Sequence, residues 1–137
     1  GNQLAMVAGA VVIGRIRDPA FLAEVTRKGD IILERLNKLK EEVSIIGDVR
    51  GKGLMLGVEF INPRNPLDIM GVPEPTGYVA SLVQRRCFDN GLIMEKGGRS
   101  GSVMRCLCAL NIPDEDIDRA MTIFENAVRE VDRDVCE

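Results

Sequence analysis

Arg105 is the first residue to weigh, because it stands inside an apolar run, Val103-Met104-Arg105-Cys106-Leu107. A guanidinium among such neighbours needs an opposite charge, since burying it unpaired is costly. Two partners satisfy it equally well on pattern alone. One is a carboxylate of the protein; the other is the carboxylate of a small ligand, which the planar fork of arginine grips bidentately. Cys106 and Cys108 put two thiols on one face of the same strand. A metal site takes about four ligands, and neither a histidine nor a second close cysteine pair is available. The pair therefore reads as two small buried side chains, and no metal is expected. Gly97-Gly98-Arg99-Ser100-Gly101-Ser102 could cradle an anion with its backbone N–H groups. It lacks the Gly-Lys-Ser/Thr ending of a phosphate loop and leads into a strand, so a hairpin turn is the better reading. Arg50-Gly51-Lys52 beside Asp48 reads as a tight turn, not a basic patch.

The complete lack of histidine removes the commonest general base near neutral pH and excludes Ser-His or Cys-His nucleophiles. A net charge of -3 and 4% aromatic residues argue against nucleic acid as a partner. The longest apolar stretch, Leu4 to Ile13, is too short for a bilayer and has no charged segment ahead of it as a signal peptide would. Four cysteines in a chain able to bury a core fit a reduced, cytoplasmic setting better than a disulfide scaffold.

The elements that must position these groups follow from periodicity. Asn2 to Ile16 reads as a helix that is apolar all round, hence buried. A helix of this kind at a terminus suggests a piece of something longer. Asp18-Pro19 caps a second helix reaching about Glu41, interrupted at Gly29, where another backbone is expected close by. A very short strand is expected over 47–50. A longer one follows from Leu54 to Ile61, with Leu54, Leu56, Val58 and Phe60 on one face. Four prolines between Asn62 and Thr76 mark a loop. A helix from about Thr76 ends at Gly91, short strands follow over 92–95 and 103–107, and an acidic turn after Pro113 opens the last helix. The sum is an α+β fold: two long N-terminal helices, then a small, mainly antiparallel sheet with helices on one side. We expect one domain over 1–137, with 1–43 a helical lead-in and 44–137 the α+β part.

Four segments, in order, resemble one family. Gly1-Asn-Gln-Leu-Ala5 is similar to the stretch opening the C-terminal part of class III (ω-amino) pyridoxal-phosphate-dependent aminotransferases. Val49-Arg-Gly-Lys-Gly-Leu-Met55 resembles their Arg-Gly-x-Gly-Leu motif. Asn90-Gly-Leu-Ile93 resembles the step after the next helix. Met104-Arg-Cys-Leu107 resembles their Arg-x-x-Pro-Pro-Leu region, except that Cys108-Ala109 stands where the family has Pro-Pro. The Gly-Gly-Arg-Ser-Gly-Ser-Val103 stretch is most similar to the diaminobutyrate–2-oxoglutarate aminotransferase branch.

The resemblance implies the C-terminal small domain of the fold type I architecture. Such a domain closes over substrate, against an N-terminal large domain of the same polypeptide and within a homodimer. It implies pyridoxal phosphate in the parent, bound before Gly1, and transfer of an amino group from a diamino acid such as 2,4-diaminobutyrate to 2-oxoglutarate. It also implies that Arg105 binds the substrate carboxylate, which tips the balance between its two partners toward the ligand. None of Lys28, Lys38, Lys40, Lys52 and Lys96 matches a cofactor motif, so no catalytic or cofactor-binding residue is expected in this chain, and the chain alone is expected to be inactive. The rival expectation is a stand-alone α+β ligand-binding or dimerisation module without catalysis.

Overall fold

A computed structural model describes all residues, 1–137. Helices α1 (Gln3–Ile16) and α2 (Pro19–Glu42) lead into strands β1 (Ile46–Lys52) and β2 (Met55–Phe60). Helix α3 (Gly77–Asp89), β3 (Glu95–Gly97), a 3-10 turn (Arg99–Gly101), β4 (Val103–Leu107) and α4 (Asp114–Cys136) complete the chain. The four strands form one antiparallel sheet in the order β1-β2-β4-β3. Helices cover one face of it, as the α+β expectation required.

The capping signals act where the sequence put them. Asp18 accepts from the Ala20 N–H, and Gly91 takes the left-handed conformation (φ 84°) just past α3, at no steric cost. Gly29 is buried in α2, and a Cβ there would stand 2.3 Å from the Gly53 carbonyl oxygen. Its bare Cα is what lets the β1–β2 turn dock on the helix.

Leu56, Val58 and Phe60 of β2 and Met104 of β4 point into the core. They meet Leu36 and Leu39 of α2, Val79 and Val83 of α3, and Phe124 and Val128 of α4. Phe60 and Phe124 pack edge to face, ring centres 6.5 Å apart.

Three expectations are corrected. Strand β1 runs seven residues, not the four of 47–50, because it pairs along nearly all of β2; a register irregularity between Ile46 and Asp48 absorbs the mismatch. Strand β3 lies at Glu95–Gly97 and not at 92–95: Gly97 pairs with Val103 and Glu95 with Arg105, while Leu92 to Met94 stay outside the ladder. Helix α1 is not buried. No residue of it is buried, with Leu4 81% and Val11 67% exposed, because only α2 packs against it.

A helix of 14 residues at 1.5 Å rise is an apolar rod about 21 Å long. Exposed apolar patches of that scale behave as interfaces. The isolated chain should therefore self-associate, and its sedimentation coefficient should rise with protein concentration. A concentration-independent monomer that binds no hydrophobic dye would show the helix to be harmless in water. No helix of the chain is long and apolar enough to cross a membrane.

Candidate functional site

Sheet alternation decides where Arg105 sits. Met104 faces the core, fully buried, so Arg105 must face the other way. The expectation that its apolar neighbours bury it is thus corrected: its side chain is 43% exposed, on the face of the sheet that carries no helix. Strand pairing lines up one row across all four strands: Arg50 opposite Gly57, Gly57 opposite Arg105, Arg105 opposite Glu95.

Within this row each cation has carboxylate company. Arg105 Nη2 donates to Glu95 Oε1 at 2.9 Å. Arg50 Nη1 lies 2.6 Å from both Asp48 Oδ2 and Glu59 Oε2. The hydrogen bond from Arg50 holds the Asp48 carboxyl below its ordinary range, and the bonds from Asp48 and Glu59 push the guanidinium up. Arg50 is thus tied twice within its own sheet, whereas Arg105 is tied once.

Two glycines flank Arg105. Gly57 puts no side chain between Arg50 and Arg105. Gly97 lies beneath the guanidinium, where a Cβ would come within 2.5 Å of Nη2 and 3.1 Å of Cζ. With one donor on Glu95, the guanidinium keeps further N–H groups for an incoming acceptor. The arrangement can therefore grip a carboxylate from the open side of the sheet.

The other candidates resolve differently. Gly97 to Ser102 is the turn of the β3–β4 hairpin, with Gly98, Ser100 and Gly101 at positive φ. Arg50, Gly51 and Lys52, expected as a tight turn, instead end strand β1, and the turn falls at Gly53 and Leu54 because the ladder with β2 runs on to Lys52 and Met55. Cys106 and Cys108 line an apolar hollow of about 330 Å³ with Leu92, Met94, Met121 and Phe124. Burial pushes the Cys106 thiol up to about 12 and Cys87 up to about 11. A thiol at 12 is about one ten-thousandth ionised at pH 8, and only the thiolate is nucleophilic. In a thiol-disulfide reagent at pH 8, Cys136, which is exposed, should react first. Cys87, fully buried, should respond only once denaturant opens the core, and the half-buried Cys106 and Cys108, expected from the sequence to be buried, should react between these extremes. Rapid labelling of all four thiols in the folded chain would show the core to be open.

Three of the five lysines are engaged within the chain. Lys28 Nζ donates to the Ile112 carbonyl, Lys96 reaches the Ser81 hydroxyl, Lys40 faces Asp48, and none lines the apolar hollow. No step of cofactor chemistry is therefore assigned to this chain.

Glu95, Gly57 and Gly97 belong to the site but are not singled out by sequence reasoning. One signal was available: a hairpin centred on Ser100 brings residues 95 and 105 opposite each other.

The class III aminotransferase family model matches residues 1–128, and the chain belongs to that family. Similar proteins include two diaminobutyrate–2-oxoglutarate aminotransferases. The one from Haemophilus influenzae is 35% identical, over 93% of this chain and 28% of its own length. The one from Rhizobium meliloti is 39% identical, over 87% of this chain and 25% of its own length. The chain thus spans about a quarter of these relatives. The crystal structure of N-acetylornithine aminotransferase from Stenotrophomonas maltophilia shares the fold, with a TM-score of 0.75 over 95% of this chain and 32% of that one, at 23% identity.

Proposed function

We propose that this chain acts as the C-terminal small domain of a longer pyridoxal-phosphate-dependent aminotransferase. That enzyme moves an amino group from a diamino acid such as 2,4-diaminobutyrate to 2-oxoglutarate. In this reading residues 1–137 form one domain, with 1–43 leading in from a large domain of the same polypeptide that holds the cofactor. The apolar rod of α1 then lies against that domain or against the second subunit of a homodimer, in the cytoplasm.

The observation that carries the reading is the single ion pair of Arg105 on the open face of the sheet. Asp48 and Glu59 both hold Arg50, whereas Arg105 has Glu95 alone. Arg105 keeps donors for the carboxylate of the amino acid, and in the second half-reaction for that of the oxo acid. The family match gives no support to a stand-alone ligand-binding or dimerisation module.

The test is the complete polypeptide, loaded with pyridoxal phosphate and given 2,4-diaminobutyrate and 2-oxoglutarate. Glutamate should form, and it should not form when residues 1–137 are supplied alone. Absence of glutamate from the complete protein would overturn the substrate assignment. Turnover by residues 1–137 alone would overturn the division of labour.

A further inference from the structure

The geometry points to Glu95 as a specificity-determining residue: with Arg105 it reads the head group of an α-amino acid, Arg105 taking the α-carboxylate and Glu95 the α-ammonium. The inference rests on the carboxylate-gripping role proposed for Arg105 and adds a second contact to it.

Three observations carry it. Glu95 and Arg105 are direct cross-strand neighbours, joined through one contact, Oε1 to Nη2 at 2.9 Å. Both side chains are open to solvent, 57% and 43%. An α-amino acid offers a carboxylate and an ammonium two bonds apart. A cation and an anion side by side on a flat strand surface match that pattern charge for charge. The third observation is room. Gly97 lets the guanidinium lie down over its bare Cα, and Gly57, on the other side of Arg105, has only Val103 Cγ1 close to it, so a small head group can approach both charges from above the sheet.

The ion pair does not prevent this. An exposed pair of this kind is weak, because water and salt screen it. Glu95 holds Arg105 by one oxygen and has its Oε2 free of any protein donor in the structure's hydrogen bonds. It can keep the guanidinium in place with one oxygen and accept an ammonium N–H with the other.

The consequence is a preference among donors that carry the same terminal amine. In 2,4-diaminobutyrate the γ-amine is the one transferred, so the α-ammonium and α-carboxylate stay intact as a head group. In 4-aminobutyrate the carboxylate and the γ-ammonium are present and the α-ammonium is missing. Glu95 should favour the first over the second.

The test is a titration of the 137-residue chain, labelled with ¹⁵N-arginine, following the Arg105 Nε–Hε signal assigned through Arg105→Lys. The probes are 2,4-diaminobutyrate and 4-aminobutyrate. The diamino acid should bind about three- to fivefold more tightly, the scale of one exposed charge pair. In Glu95→Gln the ratio should fall to about one while both ligands still move the signal, and Glu95→Asp should restore part of it. Equal affinities on the unaltered chain, or a preference that survives Glu95→Gln, would overturn the inference and leave the carboxylate grip standing. An Arg105 signal that no carboxylate moves would overturn the inference, and the kinetics of Arg105→Ala in the complete enzyme decide the carboxylate grip separately. Equal affinities on the unaltered chain overturn the inference even should Glu95→Gln fail to fold, and in that case a weaker preference in Glu95→Asp is the result that supports it.

Discussion

Replacing Arg105 by alanine in the complete enzyme should lower kcat/KM for both the amino acid and the oxo acid by roughly 30- to 160-fold. That factor corresponds to about 2–3 kcal/mol, the scale of a charge-assisted, bidentate hydrogen-bonded pair. Both substrates should suffer because each presents a carboxylate to the same guanidinium. Cofactor affinity should stay nearly constant, since nothing in this chain is assigned to the cofactor. Folding should also hold. Arg105 has one exposed partner, Glu95, and such pairs contribute about 0–1 kcal/mol to stability. Steady-state kinetics with each substrate varied, beside a thermal melt, checks both halves. Normal kinetics, or a variant that does not fold, would make Arg105 a structural ion-pair partner and put the carboxylate grip elsewhere.

The second large effect concerns the core that holds the sheet. Phe124 of α4 is 1% exposed, stands edge to face against Phe60 of β2, and borders the apolar hollow beside Cys106. Phe124→Ala should destabilise the chain by about 3–5 kcal/mol, combining lost burial with an enlarged cavity. The aromatic pair adds to the loss. A domain of this size has roughly 5–15 kcal/mol in total, so the variant should unfold at markedly lower urea. Phe124→Leu should recover much of the loss because it refills most of the volume. The expected observation is a shifted midpoint with an unchanged slope. A midpoint within experimental error of the parent would mean that α4 does not pack on β2 as described.

The same core explains why Arg105 is presented to the open side. Val58, Phe60 and Met104 are fully buried against the helices, so the strands cannot rotate or slip. A slip of one residue would exchange the two faces and carry Met104 into water. The arginine's orientation is thus a consequence of apolar packing on the opposite face, and a core lesion such as Phe124→Ala should loosen the site as well as the fold.

Much of this was legible in the sequence because the relevant information is local. The helix caps at Asp18 and Gly91, the inward face of Leu56, Val58 and Phe60, and the close backbone approach at Gly29 each follow from a residue and its near neighbours. The ordered motifs from Gly1 to Leu107 carried the family, which the match over residues 1–128 shows. What the tertiary structure alone decided is of another kind. The exposure of Arg105 depends on which face of β4 the helices cover, and an apolar run such as Val103 to Leu107 reads the same buried on one face or on two. Its partner Glu95, and the flanking Gly57 and Gly97, depend on pairing between β2, β4 and β3, which brings together residues ten to almost fifty positions apart. The exposure of α1 has the same origin: an apolar helix states that it needs cover, while the cover itself is a property of whatever else packs against it, and here that is α2 alone.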